Sequence, residues 1–309
     1  MRTVLVLLAL VAVLTAKVIR METKKTESLR AKMIKKGTYH DFLQKMNLAR
    51  ANSPMVLATG SQSFIDYYDD FYETKKFSIE YGSGSCKGHL ATDVLGFGGL
   101  TVQVVPPMQN VLSQLDQPLF TVWFDRKLNI PMGDTAGLVT YGALDSVNCD
   151  STVNYVPLSS ETYWQFSIQA FSIGSITDSR TQQAISDTGT SWIGMSTSDL
   201  SGVISQTGAG YYIGADYDFY YVPCSKMYSL PDLLFMINNF NYNFSSVEYV
   251  LDLGLNDGNC AITFFAMDFG GFGPSYVLGD TWIRQYCNIY HIGNKAIGFA
   301  KASRFICLD

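Results

Sequence analysis

Within the 309 residues, one segment combines residue types and spacing suited to chemistry: Ala184-Ile185-Ser186-Asp187-Thr188-Gly189-Thr190-Ser191-Trp192. An apolar strand there would deliver Asp187 to a tight Thr-Gly turn, and the flanking hydroxyls can hydrogen-bond its carboxylate. That is a way to hold an ionisable acid rigidly at the end of a sheet. The competing reading is an ordinary Asx turn between strands. Other chemistries lack their residues. There are three histidines, His40, His89 and His291, with no HExxH, no CxxC pair and no clustered His/Cys spacing, so neither metal nor cofactor is expected. No GxSxG elbow or Walker loop occurs, and Gly82-Ser83-Gly84-Ser85-Cys86-Lys87-Gly88 reads as a glycine-rich hairpin tip.

The elements that must position Asp187 read as strands. After Ser61 the chain is rich in Tyr, Phe, Val, Ile and Thr broken by Gly, Asn and Asp, with alternation in Phe77–Tyr81 and Phe166–Ala170. Short helices are expected over Met108–Leu115 and, with proline at the first position, over Pro231–Ile237. The composition, 47% hydrophobic and 16% charged, excludes a disordered or collagen-like chain.

Charge divides the chain in two. Residues 1–50 hold 11 of the 22 Lys+Arg but 3 of the 27 Asp+Glu, which leaves the remainder at a net charge of -13. Met1-Arg2, the apolar run Val4–Leu14 and Thr15-Ala16 read as a signal peptide over residues 1–16. That run is too short to cross a bilayer and none as long follows, so no membrane anchor is expected. From Lys17 to Arg50 the chain is basic, with Leu29, Met33, Ile34, Phe42, Leu43 and Met46 spaced as helical faces. Such a stretch can bind nucleic acid, but export argues against that partner. Its position and sign suit a propeptide that covers an acidic cleft.

Beyond the Asp-Thr-Gly, the sequence resembles the pepsin-like aspartic endopeptidases. Asp187–Ser191 resembles the family's second catalytic motif, and Tyr276-Val277-Leu278-Gly279-Asp280-Thr281-Trp282-Ile283-Arg284 the apolar-apolar-Gly segment that packs behind it. Phe77–Ser85 is similar to the flap hairpin, with Tyr81 in the place of the flap tyrosine. Leu138–Asp145 is similar to the inter-lobe strand, and Ile34–Gly37 with Asp41–Leu43 to the propeptide. The resemblance implies an all-β, bilobal acid-protease fold with a signal peptide (1–16), a propeptide (17–65), a first lobe carrying the flap (66–150) and a second lobe carrying the Asp-Thr-Gly (151–309). It implies hydrolysis of peptide bonds by a carboxylate-activated water, with Asp187 catalytic and Tyr81, Gly82, Ser83, Gly189, Thr190 and Ser191 at the substrate. The implied partners are a polypeptide substrate and the chain's own propeptide. The implied location is secreted or lysosomal.

The family's chemistry uses two carboxylates, one from each lobe, sharing a proton around a water. Here Asp187 lies in the only Asp-Thr-Gly, and no Asp-Ser-Gly occurs. The first motif is expected between Asp70-Phe71-Tyr72 and Lys76-Phe77, where only Glu73, Thr74 and Lys75 intervene. A second junction lies between Leu100-Thr101-Val102 and Val105-Pro106-Pro107-Met108. The two lobes come to 85 and 159 residues, a difference of 74, so the first lobe reads as truncated and the second as intact. A lone carboxylate cannot act as base and acid in one step. Two arrangements restore the pair: a homodimer, or a complete form from which two internal blocks have been lost. The second is favoured, because the flanking motifs are untouched. The alternative, from another class, is a secreted non-catalytic protein that binds peptides or an intact protease.

Six cysteines in an exported chain allow 15 disulfide pairings. The resemblance implies Cys224–Cys260, with Cys149–Cys287 a weaker match. Cys86 lies in the flap-like segment and Cys307 has no assigned partner. Asn243-Phe244-Ser245 is an acceptor sequon, which marks Asn243 for glycosylation.

Overall fold

The computed structural model describes residues 18–24, 36, 76–81, 84–89, 111–125, 134–213, 218–267 and 273–303. The signal peptide lies outside them, as do all but a few residues of the 17–65 segment. The described chain is mostly β-sheet, as the alternating, β-branched and aromatic segments lead one to expect.

The largest sheet has six strands, all antiparallel, in the order Ile19–Lys24, Thr135–Tyr141, Leu119–Phe124, Tyr286–His291, Ala296–Lys301 and Asn154–Pro157. It therefore joins a strand near the N-terminus to strands from the middle and the end of the sequence. The basic 17–50 stretch accordingly begins as a strand, with Ile19 opposite Tyr141. Two four-stranded sheets and a five-stranded sheet complete the described part of residues 151–309.

Their shared core is aromatic. Trp282 is fully buried and meets Phe235, Phe244 and Phe299 at centroid distances of 5.5, 5.9 and 5.5 Å. Edge and offset ring contacts of this kind add to the apolar area they bury. Among the described residues the longest helix, Thr197–Thr207, starts at Ser196, whose Oγ accepts the Asp199 amide, and stops at Gly208 in the left-handed conformation (φ 63°).

The helix expected over Pro231–Ile237 is a strand, Leu233–Ile237. Its side chains alternate between buried and half-buried between two antiparallel neighbours, Phe240–Phe244 and Ala170–Ile173. Burial on a period of two overrode the N-terminal proline signal. In the other expected helix the described part is a single 3-10 turn, Leu112–Gln114.

Among the described residues, two disulfides close the structure. Cys224–Cys260 spans 36 residues and links the end of one strand to its neighbour. Cys149–Cys287 spans 138. After the Thr135–Tyr141 strand, Asp145 Oδ1 accepts the amides of Val147 and Asn148, a turn that leads to Cys149, which forms a β-bridge with Ala302 beyond the last strand of the same six-stranded, central sheet. By loop entropy, removing the longer bridge should cost about 5 kcal/mol and the shorter about 4. Thermal unfolding of the two Cys→Ala pairs is expected to show the larger drop for Cys149/Cys287. Equal drops would mean that loop length does not govern the difference.

Candidate active site around Asp187

Asp187 follows directly on the strand Gln182–Ser186, the fourth of five in the order Phe264–Ala266, Ile193–Met195, Tyr276–Leu278, Gln182–Ser186, Gln165–Ile168. Gln182–Ser186 runs parallel to Tyr276–Leu278, with Ser186 opposite Leu278, and the Asp187 amide donates to Leu278 O at 3.1 Å. The chain then turns. The Gly189 amide donates to Asp187 Oδ1 at 2.9 Å, and Thr190 Oγ1 donates to Oδ2 at 2.6 Å. Each carboxylate oxygen thus holds one donor, which fixes the plane of the group while Thr188 and Gly189 stay exposed.

Gly279 explains why the segment behind this turn needs a glycine. A Cβ there would overlap Thr190 O and lie 2.5 Å from Trp192 O. Without it, the Asp280 amide reaches Thr190 O at 2.8 Å, and Thr281 donates its amide and Oγ1 to Ser191 O at 3.2 and 2.9 Å. Two chain segments about 90 residues apart are thus hydrogen-bonded to one another, and neither turn is free to relax alone.

The floor is tied to the central sheet. Ser186 Oγ shares a hydrogen bond with Tyr290 Oη at 2.8 Å and accepts Asn288 Nδ2 at 2.6 Å. Tyr290 stacks on Phe120 at 4.5 Å. Burial pushes the Tyr290 hydroxyl up to about 12, so it remains a neutral hydrogen-bonding group.

Two further groups feel the Asp187 charge. Burial, and then Asp187, raise the pKa of Tyr163, a half-buried tyrosine at the turn before Gln165–Ile168. Asp280 keeps some exposed surface, yet its Oδ1 is enclosed and has no hydrogen-bond partner. Burial pushes its carboxyl up to about 8, Arg284 pulls it down, and Asp187 pushes it up again. Neither role was legible in the sequence. Asp280 stood out only as a member of the segment Tyr276–Arg284, and Tyr163 carried no signal.

The other expected site residues are placed as follows. Tyr81 ends the strand Lys76–Tyr81, paired with Gly84 of Gly84–His89, while Gly82 and Ser83 lie outside the described residues. Gly189 and Thr190 hold the Asp187 carboxylate, and Ser191 contributes its carbonyl to Thr281. Cys224 and Cys260 are bonded to each other, so although Asp252 lies beside them they offer no thiolate to a metal. Asn243 is exposed on the strand Phe240–Phe244.

A family model described as eukaryotic aspartyl protease matches residues 101–302. The chain is 44% identical to aspartic protease 1 of Caenorhabditis elegans, over 96% of this chain and 98% of that protein. It is 36% identical to aspartic protease 17 of the same organism, with the same coverage. It is 28% identical to vacuolar protease A of Aspergillus fumigatus, over 74% of this chain and 65% of that protein. The first alignment runs over 392 positions against 309 residues here, so at least 83 positions have no counterpart in this chain.

Proposed function

The chain belongs to the eukaryotic aspartyl protease family, and from that premise we propose that its chemistry is peptide-bond hydrolysis in polypeptides by a water activated between two carboxylates, of which this 309-residue form supplies one. The observation that carries the reading is the Asp187 turn. Its carboxylate is held flat by the Gly189 amide and the Thr190 hydroxyl at an exposed turn, where a water and a substrate carbonyl can approach. With a partner carboxylate, one group would take a proton from the water while the other donated a hydrogen bond to the scissile carbonyl. Tyr81, Gly82 and Ser83 would close over the peptide, and Gly189, Thr190 and Ser191 would line its path.

Residues 1–16 would direct export, and 17–65 would shield the acidic cleft until acid neutralised its carboxylates. Docking of Ile19–Lys24 on the edge of the central sheet supports that assignment. An acid compartment, lysosomal or extracellular, suits both. Among the described residues no helix is long and apolar enough to cross a membrane, and the Aspergillus fumigatus relative is named a vacuolar protease.

A second reading, a peptide-binding protein without turnover, is favoured for this form by its single Asp-Thr-Gly. The positions without counterpart in the alignment to aspartic protease 1 support loss of internal blocks. Incubating the purified chain with an unstructured polypeptide at about pH 3 to 5 is expected to give binding, measured by calorimetry, without new amino termini. Cleavage that disappears in Asp187→Ala would show instead that two copies supply the pair.

A further inference from the structure

On a different flank of the molecule, Asp150, Asn154, Asn241, Tyr242, Tyr286 and Lys301 line a cavity of about 200 Å³ that shares no residue with the Asp187 site. The cavity is built at the junction of three segments: the turn before Asn154–Pro157, the strand Phe240–Phe244 and the end of Ala296–Lys301. Tyr242 is buried, with 3% of its surface exposed, and lines the wall with its hydroxyl beside Asn154. The wall combines aromatic rings with carboxylate, amide and ammonium groups, a lining suited to a neutral polyhydroxy molecule.

The strand that forms one wall also carries the acceptor sequon. Asn243 follows Asn241 by two residues, so the two side chains share the exposed face of Phe240–Phe244. Tyr286, a ring of the cavity wall, donates its Oη to Asn243 O at 2.6 Å. The Asn243 side chain is itself aimed: Nδ2 donates to Asp232 Oδ2 at 2.8 Å.

We propose that Asn243 carries an N-linked glycan and that this cavity seats its first N-acetylglucosamine. The inference rests on the reading that the chain enters the secretory pathway. In the attachment step Asn243 Nδ2 displaces a lipid diphosphate from the anomeric carbon of an oligosaccharide donor. One C–N bond forms, one C–O bond breaks, and Nδ2 gives up one of its two protons. The remaining N–H can keep its bond to Asp232, which holds the amide and hence the direction of the first sugar. The sugar then covers Tyr286 and brings hydroxyls to Asn154 and Asn241.

The test is expression of the full chain with its own N-terminus in animal cells, with medium and membrane fractions pooled and the peptide containing residue 243 weighed. Asn243 is expected to carry the glycan, and Ser245→Ala to abolish it. A glycan-releasing amidase should act about tenfold more slowly on the native protein than on the unfolded one, equivalent to about 1.4 kcal/mol of seating. Asn241→Ala combined with Lys301→Ala, both at the cavity rim, should recover most of that rate without loss of the fold. A free amide at Asn243 in chains that have lost residues 1–16 overturns the proposal, as does an amidase rate that the rim variants leave unchanged. A free amide on chains that keep residues 1–16 sinks the export reading, and this inference with it.

Discussion

A form of the chain with an Asp-Thr-Gly strand restored between Tyr72 and Lys76, and an apolar-apolar-Gly segment between Val102 and Val105, is expected to hydrolyse unstructured polypeptide at about pH 3 to 5. Its kcat/KM should exceed that of the 309-residue chain by about 10²- to 10⁴-fold, the usual worth of a positioned acid or base. The reason is geometric. The Asp187 turn is already assembled in this form, with both carboxylate oxygens engaged and its supporting segment hydrogen-bonded behind it. What it lacks is a second carboxyl to hold the proton while the first takes one from water. In the restored form Asp187→Asn should abolish turnover with little change in stability, since the amide keeps the shape of the turn. A 309-residue chain as fast as the restored one would refute the single-carboxylate reading. A rate rising with the square of protein concentration would assign the pair to a homodimer.

Stability should peak in acid, near pH 4, and fall as pH rises toward 8. Asp280 dominates. Its folded-state pKa is raised from 3.8 to about 8, chiefly by burial, so between those values the native state holds a proton that the unfolded chain has released. The stability it confers is therefore present in acid and lost as pH rises, by an amount on the order of 5 kcal/mol across the window. Asp178 sets the acid side. Bonded to Arg180 at 2.6 Å, it is lowered from 3.8 to about 2, so its contribution is complete above 3.8 and is lost as pH falls toward 2. Its partner Arg180 is exposed to solvent, which screens the pair, so its effect should be small. His291 acts in the opposite sense to Asp280. Its Nδ1 accepts the Asn294 amide, and burial lowers it below 6.5, so protonation disfavours the fold. Thermal unfolding followed from pH 3 to 8 should show a declining midpoint above pH 4, and Asp280→Asn should flatten that decline. A midpoint rising through this range in both proteins would contradict the account. A protein working in an acid compartment gains from this arrangement, because a buried carboxyl is tolerated there as a neutral group.

The all-β class was legible because alternation is a local property. Phe77–Tyr81 and Phe166–Ile168 show it within five residues, and the strands fall where the pattern predicts. Pro231–Ile237 misled because a proline two residues ahead of Leu233 precedes a strand as readily as it opens a helix, and only the neighbours Phe240–Phe244 and Ala170–Ile173 select the extended form. Asp187, Gly189 and Thr190 were named from three adjacent residues, and the hydrogen bonds among them are equally local.

By itself, the sequence determined the class of fold, the family resemblance, the reactive carboxylate and the absence of a second Asp-Thr-Gly, since all four depend on residue order over short spans. Only the tertiary structure decided that Gly279 must be glycine, that a carboxylate oxygen of Asp280 is enclosed where it feels the Asp187 charge, that Ser186 is pinned to Tyr290, and that the Asn243 sequon adjoins a cavity. Those facts join residues about 40 to 105 positions apart, and no local propensity encodes which distant strands become neighbours. Burial and electrostatic coupling are properties of that neighbourhood, set only when the core closes around it.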